Sequence, residues 1–156
     1  MINTYLRRPL AALIVSALVA AVSFVATPAQ ATADFQFDRV SGSDRYATAA
    51  AIALDAFPGG ATAAIIATGE NFPDALAGSF FAGRDTGFPI LLVQPNSVPA
   101  VTDQALQQLG VTTVVLLGGT SVISDGVQTA LDADYDVFRI GGTDRFDTAR
   151  MIAETA

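Results

Sequence analysis

The sequence has 156 residues, 51% of them hydrophobic, and contains no cysteine, histidine or lysine. Past the first thirty-one residues, six arginines face all fifteen acidic side chains, a formal charge of −9. That balance excludes a general nucleic-acid or membrane-surface binder, and the missing residue types exclude a disulfide framework, the commonest zinc ligand and the usual near-neutral general base.

Arg7 and Arg8 precede an apolar stretch from Leu10 to Val25, which ends in Thr27-Pro-Ala-Gln-Ala31, a small-residue exit of the Ala-x-Ala kind. This pattern is read as a secretory signal peptide over 1–31, cleaved after Ala31 or, as second choice, Ala33. The alternative is a transmembrane anchor, but the run is short for ~30 Å of hydrocarbon and no charged stop-transfer flank follows. A twin-arginine signal fits poorly with Pro9 directly after the arginine pair. After cleavage no stable membrane insertion is expected.

The alternation of Phe35 and Phe37 with Gln36 and Asp38, before Arg39-Val40, predicts a first, edge strand. Ser41-Gly-Ser43 turns the chain, and Ser43 or Asp44 is placed to cap a helix from Arg45 to Ala56 whose inner face is Tyr46, Ala49, Ala50, Ala53 and Phe57. Ala63–Thr68 predicts a strand buried on both faces. Gly69-Glu-Asn-Phe-Pro-Asp74 leaves it as a loop, with Asp74 as cap of a helix from Ala75 to about Gly83. Pro89–Val93 is the next buried strand, and Pro99 opens a helix with the inner stripe Val101, Ala105, Leu106 and Leu109, closed by Gly110. Thr112–Leu117 predicts a third buried strand, Ser124 the cap of a helix to Leu131, and Asp136–Ile140 a last strand. This alternation implies an α/β fold with an open, mainly parallel sheet and helices on both faces.

One phrase occurs twice. Arg39-Val-Ser-Gly-Ser-Asp-Arg-Tyr-Ala-Thr-Ala-Ala-Ala-Ile-Ala53 returns one hundred residues later as Arg139-Ile-Gly-Gly-Thr-Asp-Arg-Phe-Asp-Thr-Ala-Arg-Met-Ile-Ala153. The sharp changes are Ala47 to Asp147, Ala50 to Arg150 and Ala51 to Met151. Self-similarity at a fixed period marks a repeat architecture, in which each unit leaves a surface for a neighbouring copy. The expected organisation is one complete unit over 35–138 and the truncated beginning of a second over 139–156.

The residues carry a resemblance as well. Arg39-x-x-Gly-x-Asp-Arg-Tyr-x-Thr-Ala, Gly69-Glu-Asn-Phe-Pro-Asp-Ala-Leu-Ala-Gly78, Pro89-Ile-Leu-Leu92 and Leu117-Gly-Gly-Thr120 with Ile123-Ser124 resemble the signature blocks of the cell wall-binding repeat 2 family. The resemblance implies a non-catalytic surface module of Gram-positive bacteria, used as three tandem copies around a pseudo-threefold axis. Its implied partners are further copies of the repeat, in tandem or as an oligomer, and an anionic cell-wall polymer, teichoic-acid-like or another secondary polymer. Its implied place is the cell wall, with no nucleic acid and no cofactor.

Candidate ligand-binding residues are Arg39, Asp44, Arg45, Glu70, Asn71, Asp74, Arg139, Asp144 and Arg145. Asp44, Arg45, Asp144 and Arg145 have two readings: helix caps and ion pairs between units, or arginines presented to phosphate or carboxylate groups. Glu70, Asn71 and Asp74 follow a parallel strand at its carboxyl end, where open α/β sheets bind ligands. Glu70 and Asn71 have no structural duty apparent in sequence, whereas Asp74 also reads as a cap. As two carboxylates four apart, Glu70 and Asp74 admit an exported α/β hydrolase, although no histidine, nucleophile motif or metal cluster supports it. The Gly118-Gly119 and Gly141-Gly142 turns lack nucleotide-binding spacing, and Ile90-Leu91-Leu92 reads as core packing. A purely structural unit that self-associates is the third reading.

Overall fold

The structure, a computed structural model, describes residues 38–83 and 87–155, so the segment read as a signal peptide lies outside the described residues. From Asp38 onward the chain forms one compact unit, in which the second copy of the phrase is packed with the rest. Helix α1 spans Arg45–Ala56, β1 Ala63–Thr68, α2 Pro73–Ala82, β2 Ile90–Val93 and α3 Ala100–Leu109. Then come β3 over Thr113–Leu117, α4 over Asp125–Asp132, β4 over Asp136–Ile140 and α5 over Arg145–Thr155. Among the described residues no helix is long and apolar enough to cross a membrane.

The four strands form one parallel sheet in the order β2-β1-β3-β4, the expected open α/β arrangement. β1 is central, and its alternate side chains feed two cores. Ala64 and Ile66 join Ala50, Ala53, Leu106 and Val127 beneath α1, α3 and α4, while Ile65 joins Leu117, Ile140 and Ile152 on the opposite face, beneath α2 and α5. Helices on both faces explain why β1 reads as a continuous apolar run rather than an alternating one. The inner face of α3 includes Thr102, which the apolar stripe missed: it is buried because its hydroxyl donates to the Leu92 carbonyl at 2.7 Å.

Two expectations about local structure need correction, and a third, the first strand over 34–38, lies outside the described residues apart from Asp38; residues 38–40 are irregular. A strand exists by pairing, and the corresponding residues of the second copy, 136–140, are a strand because they pair with β3, Leu116 opposite Arg139 and Leu117 opposite Ile140. Helix α2 starts at Pro73, the residue type whose fixed φ and missing N–H suit a first helical turn, which places Asp74 inside that turn and not at the cap. Ser124 is the N-cap residue of α4, but its side chain makes no capping hydrogen bond.

Candidate functional site

The chain leaves β1 through α2 on one face of the sheet and returns from β2 through α3 on the other, crossing β1 to reach β3. The carboxyl ends of β1 and β3 are therefore a topological switch point, where connections diverge and leave a crevice. A cleft of about 360 Å³ lies there, lined by residues 71–74, by Gly119, Ser121 and Val122 after β3, and by residues 142–145 and Thr148 of the second copy.

Asp74 is the buried charge of this cleft, 8% exposed. Burial raises its pKa above the usual carboxylate value, and the positive charge of Arg145 pulls in the opposite direction. Gly118 makes room for it: with φ +114° it adopts a backbone that side chains rarely tolerate, and a Cβ there would stand 2.8 Å from Asp74 Oδ2. Gly141 allows the two strand ends to close, since a Cβ on it would come within 2.5 Å of the Gly118 backbone. The paired glycine turns thus shape the cleft through steric room, and neither has the spacing of a phosphate cradle.

The remaining candidates separate into structural and cleft-facing sets. Asp44 caps α1 by accepting from Ala47 N at 2.8 Å, and Asp144 caps α5 by accepting from Phe146 N and Asp147 N at 2.8 Å. Arg45 donates Nη1 to the Gly69 carbonyl at 2.5 Å and lies 4.0 Å from Glu70. Glu70 does have a structural duty: Tyr46 donates its hydroxyl to Oε1 at 2.8 Å, tying α1 to the loop after β1. Burial, and then the bond to Glu70, push the Tyr46 hydroxyl pKa upwards. Arg139 points inward from β4, donating Nε to Gln128 Oε1 at 2.8 Å and Nη1 to the Gly118 and Ile123 carbonyls at 2.9 Å each. Its burial lowers its pKa. Arg39 is exposed and outside the cleft.

Asn71, Asp74, Asp144 and Arg145 are therefore the predicted residues that the fold brings together, and only Arg145 places a cation there. Among the described residues Arg145 makes no hydrogen bond or ion pair. Sequence reasoning missed Phe72, 73% exposed beside Asn71, along with Ser121, Thr143 and Thr148. An aromatic directly after Asn71, in the loop ahead of Pro73, was the signal available for Phe72. No group of three acidic or other metal-ligating side chains occurs among the described residues.

An open parallel α/β unit with a polar switch-point cleft, followed by a second copy of its own opening phrase, defines a module of the repeat-built binding kind. The chain belongs to the Cell wall binding domain 2 (CWB2) family, whose model matches residues 39–128. It is 33% identical over 116 residues to the N-acetylmuramoyl-L-alanine amidase LytC of Bacillus subtilis (strain 168), covering 74% of this chain and 22% of that protein. Among solved structures it is similar to Cwp8 from Clostridium difficile, with a TM-score of 0.69 and 28% identity over 74% of this chain and 20% of that one. Cwp6 from the same organism shares the fold, with a TM-score of 0.66 and 24% identity over 81% of this chain and 21% of its own. The chain thus spans about a fifth of the length of each of these three proteins.

Proposed function

We propose that this chain is an exported, non-catalytic cell wall-binding module that seats an anionic wall polymer in the cleft between α2 and α5. The observation that carries this reading is Arg145, a guanidinium that makes no hydrogen bond or salt bridge among the described residues and shares the cleft with the buried Asp74, in a member of a cell wall-binding family. Its planar fork suits a phosphate or carboxylate held through two parallel bonds. A chain of net charge −9 beyond residue 31 repels polyanions elsewhere, so a local cation must supply the attraction. Asn71 and Asp74 offer hydrogen-bonding groups to sugar hydroxyls, and Phe72 offers an apolar face to a ring. On this reading residues 1–31 direct export, 35–138 form the first unit and 139–156 open a second.

The test is retention of the purified chain on isolated cell walls. Removal of the anionic polymer by extraction, and separately Arg145→Ala, each weakens retention by about tenfold or more, as expected for loss of a charge-assisted contact. Unchanged retention after extraction overturns the polymer assignment. The hydrolase reading has less support, because Glu70 is held by Tyr46 and does not line the cleft that Asp74 faces.

A further inference from the structure

The switch-point cleft holds a carboxylate and a guanidinium that share one space. Asp74, 8% exposed, lines it from the first turn of α2, and Arg145 lines it from the first residue of α5. Asp74 accepts no hydrogen bond among the described residues, and no direct ion pair joins it to Arg145. Gly118 packs against its Oδ2 with no side chain of its own. A carboxylate placed so is served by neither water nor a protein donor: burial raises its pKa, and Arg145 opposes the rise. The surrounding elements bring no competing group. The strands under α2 are uncharged over Ala63–Thr68, Ile90–Val93 and Thr113–Leu117. On α5, Asp144 is engaged by the Phe146 and Asp147 N–H groups, and Arg150 by Asp147 and Glu154. Glu70 is held by Tyr46, and Arg139 by Gln128 and the Gly118 and Ile123 carbonyls.

We infer that Asp74 sets the affinity of this cleft for anions: ionised, it repels the ligand and competes with it for the charge of Arg145, whereas protonated, it frees Arg145 and donates its own O–H to the incoming oxygen. The inference rests on the reading that Arg145 seats an anionic polymer, and adds that the hold tightens as the surroundings become more acidic. The sign follows from linkage. An anion in the cleft stabilises the protonated form of Asp74, so each anion bound there draws a proton onto that carboxyl, and a lower pH favours binding in return. Burial makes the exchange accessible, because it moves the protonation of Asp74 from the ordinary aspartate range towards neutral pH. A protonated carboxyl is both donor and acceptor, whereas an ionised one only accepts, so the same side chain changes from opposing a phosphate oxygen to bonding it.

Calorimetric titration of the purified chain with poly(glycerol phosphate), whose phosphodiesters stay ionised throughout, tests it between about pH 7.5 and about pH 4.5. The intact chain is expected to bind about fivefold or more tighter at the acid end. It also takes up protons on binding, read from the heats in buffers of different ionisation enthalpy. Asp74→Asn, shown to be folded by circular dichroism, binds at the neutral end as tightly as the intact chain does at the acid end, with no pH dependence and no proton uptake. Arg145→Ala binds weakly at every pH. Affinity that needs Arg145 but is flat with pH, takes up no proton and is not tightened by Asp74→Asn overturns the role of Asp74 and leaves the polymer reading standing. A pH dependence that survives in Asp74→Asn also overturns that role, since another group then carries the proton. If Asp74→Asn does not fold, proton uptake by the intact chain decides: its absence overturns the inference. No binding at any pH, or binding indifferent to Arg145→Ala, overturns the reading of Arg145 as an anion seat and the inference with it.

Discussion

The phrase beginning at Arg39 and the phrase beginning at Arg139 fold alike and live differently. Each starts a helix behind a capping aspartate, and a threonine in the helix's first turns accepts from the N–H of a glycine ahead of it. Yet Tyr46 is 8% exposed and Phe146 is 78% exposed, while Ile52 is 51% exposed and Ile152 only 1%. The helix has two usable faces, and each copy buries a different one. The first copy presses Tyr46, Ala50 and Ala53 towards the elements that follow it in the chain. The second presses Thr148 and Ile152 onto the elements that precede it. The three sharp substitutions fit this division. Ala50 is buried where Arg150 is exposed and pairs with Asp147 at 2.8 Å and Glu154 at 2.6 Å, and Met151 packs beside the Ile152 cluster. Local sequence decides that a helix forms; neighbours decide which face is wet.

The largest effect that can break this comparison is at the isoleucines. Ile152→Ala removes a fully buried side chain and is expected to cost about 2–5 kcal/mol, whereas Ile52→Ala stays within about 0.5 kcal/mol, measured by denaturant midpoints. Equal losses at the two sites would mean that their surroundings do not differ in solution.

The arginines come next. Arg139→Ala leaves the Gly118 and Ile123 carbonyls without their donor and should cost about 1.5–3 kcal/mol, while Arg39→Ala leaves thermal unfolding unmoved.

Tyr46→Phe gives the first copy the residue of the second. Loss of the bond to Glu70 costs about 0.5–1.5 kcal/mol, and Phe146→Tyr gains no matching stability. A double-mutant cycle of Tyr46→Phe with Glu70→Gln isolates that coupling.

The smallest effect is a pH dependence. Because burial raises the folded pKa of Asp74 above its unfolded value, the folded state holds the proton more tightly, and this group's contribution to stability falls as pH rises through the range between those two values. Asp74→Asn flattens that part of the stability profile and raises the neutral-pH midpoint slightly. A profile identical to wild type between acid and neutral pH would show that the carboxyl is not desolvated. Asp147 runs the other way: hydrogen bonds from Arg150 and from the Thr143 backbone lower its pKa.

Much of the fold was legible because periodicity and punctuation are local. The bounds of α1, β1 and β4 follow from an alanine-rich helical stripe, a short apolar run between turn signals, and a strand ahead of a glycine turn. The candidate site was legible only in part. Asp74, Asn71, Asp144 and Arg145 could be named from the chain, but their convergence depends on the crossing from β2 to β3 and on the second copy reaching back over the first. Glu70 seemed idle because its partner, Tyr46, lies twenty-four residues away on another element.

The sequence alone determined the alternation of strands and helices, the duplicated phrase and its caps, since these rest on steric, hydrogen-bonding and hydrophobic preferences reaching only a few residues. Only the tertiary structure decided that Arg139 is a buried tie and Arg39 an exposed cation, and that Arg145 faces a cleft while Arg45 holds a loop. Identical side chains take their roles from the acceptors, charges and apolar surface that remote segments bring within a few ångströms. Those distances are properties of the packed sheet and its helices.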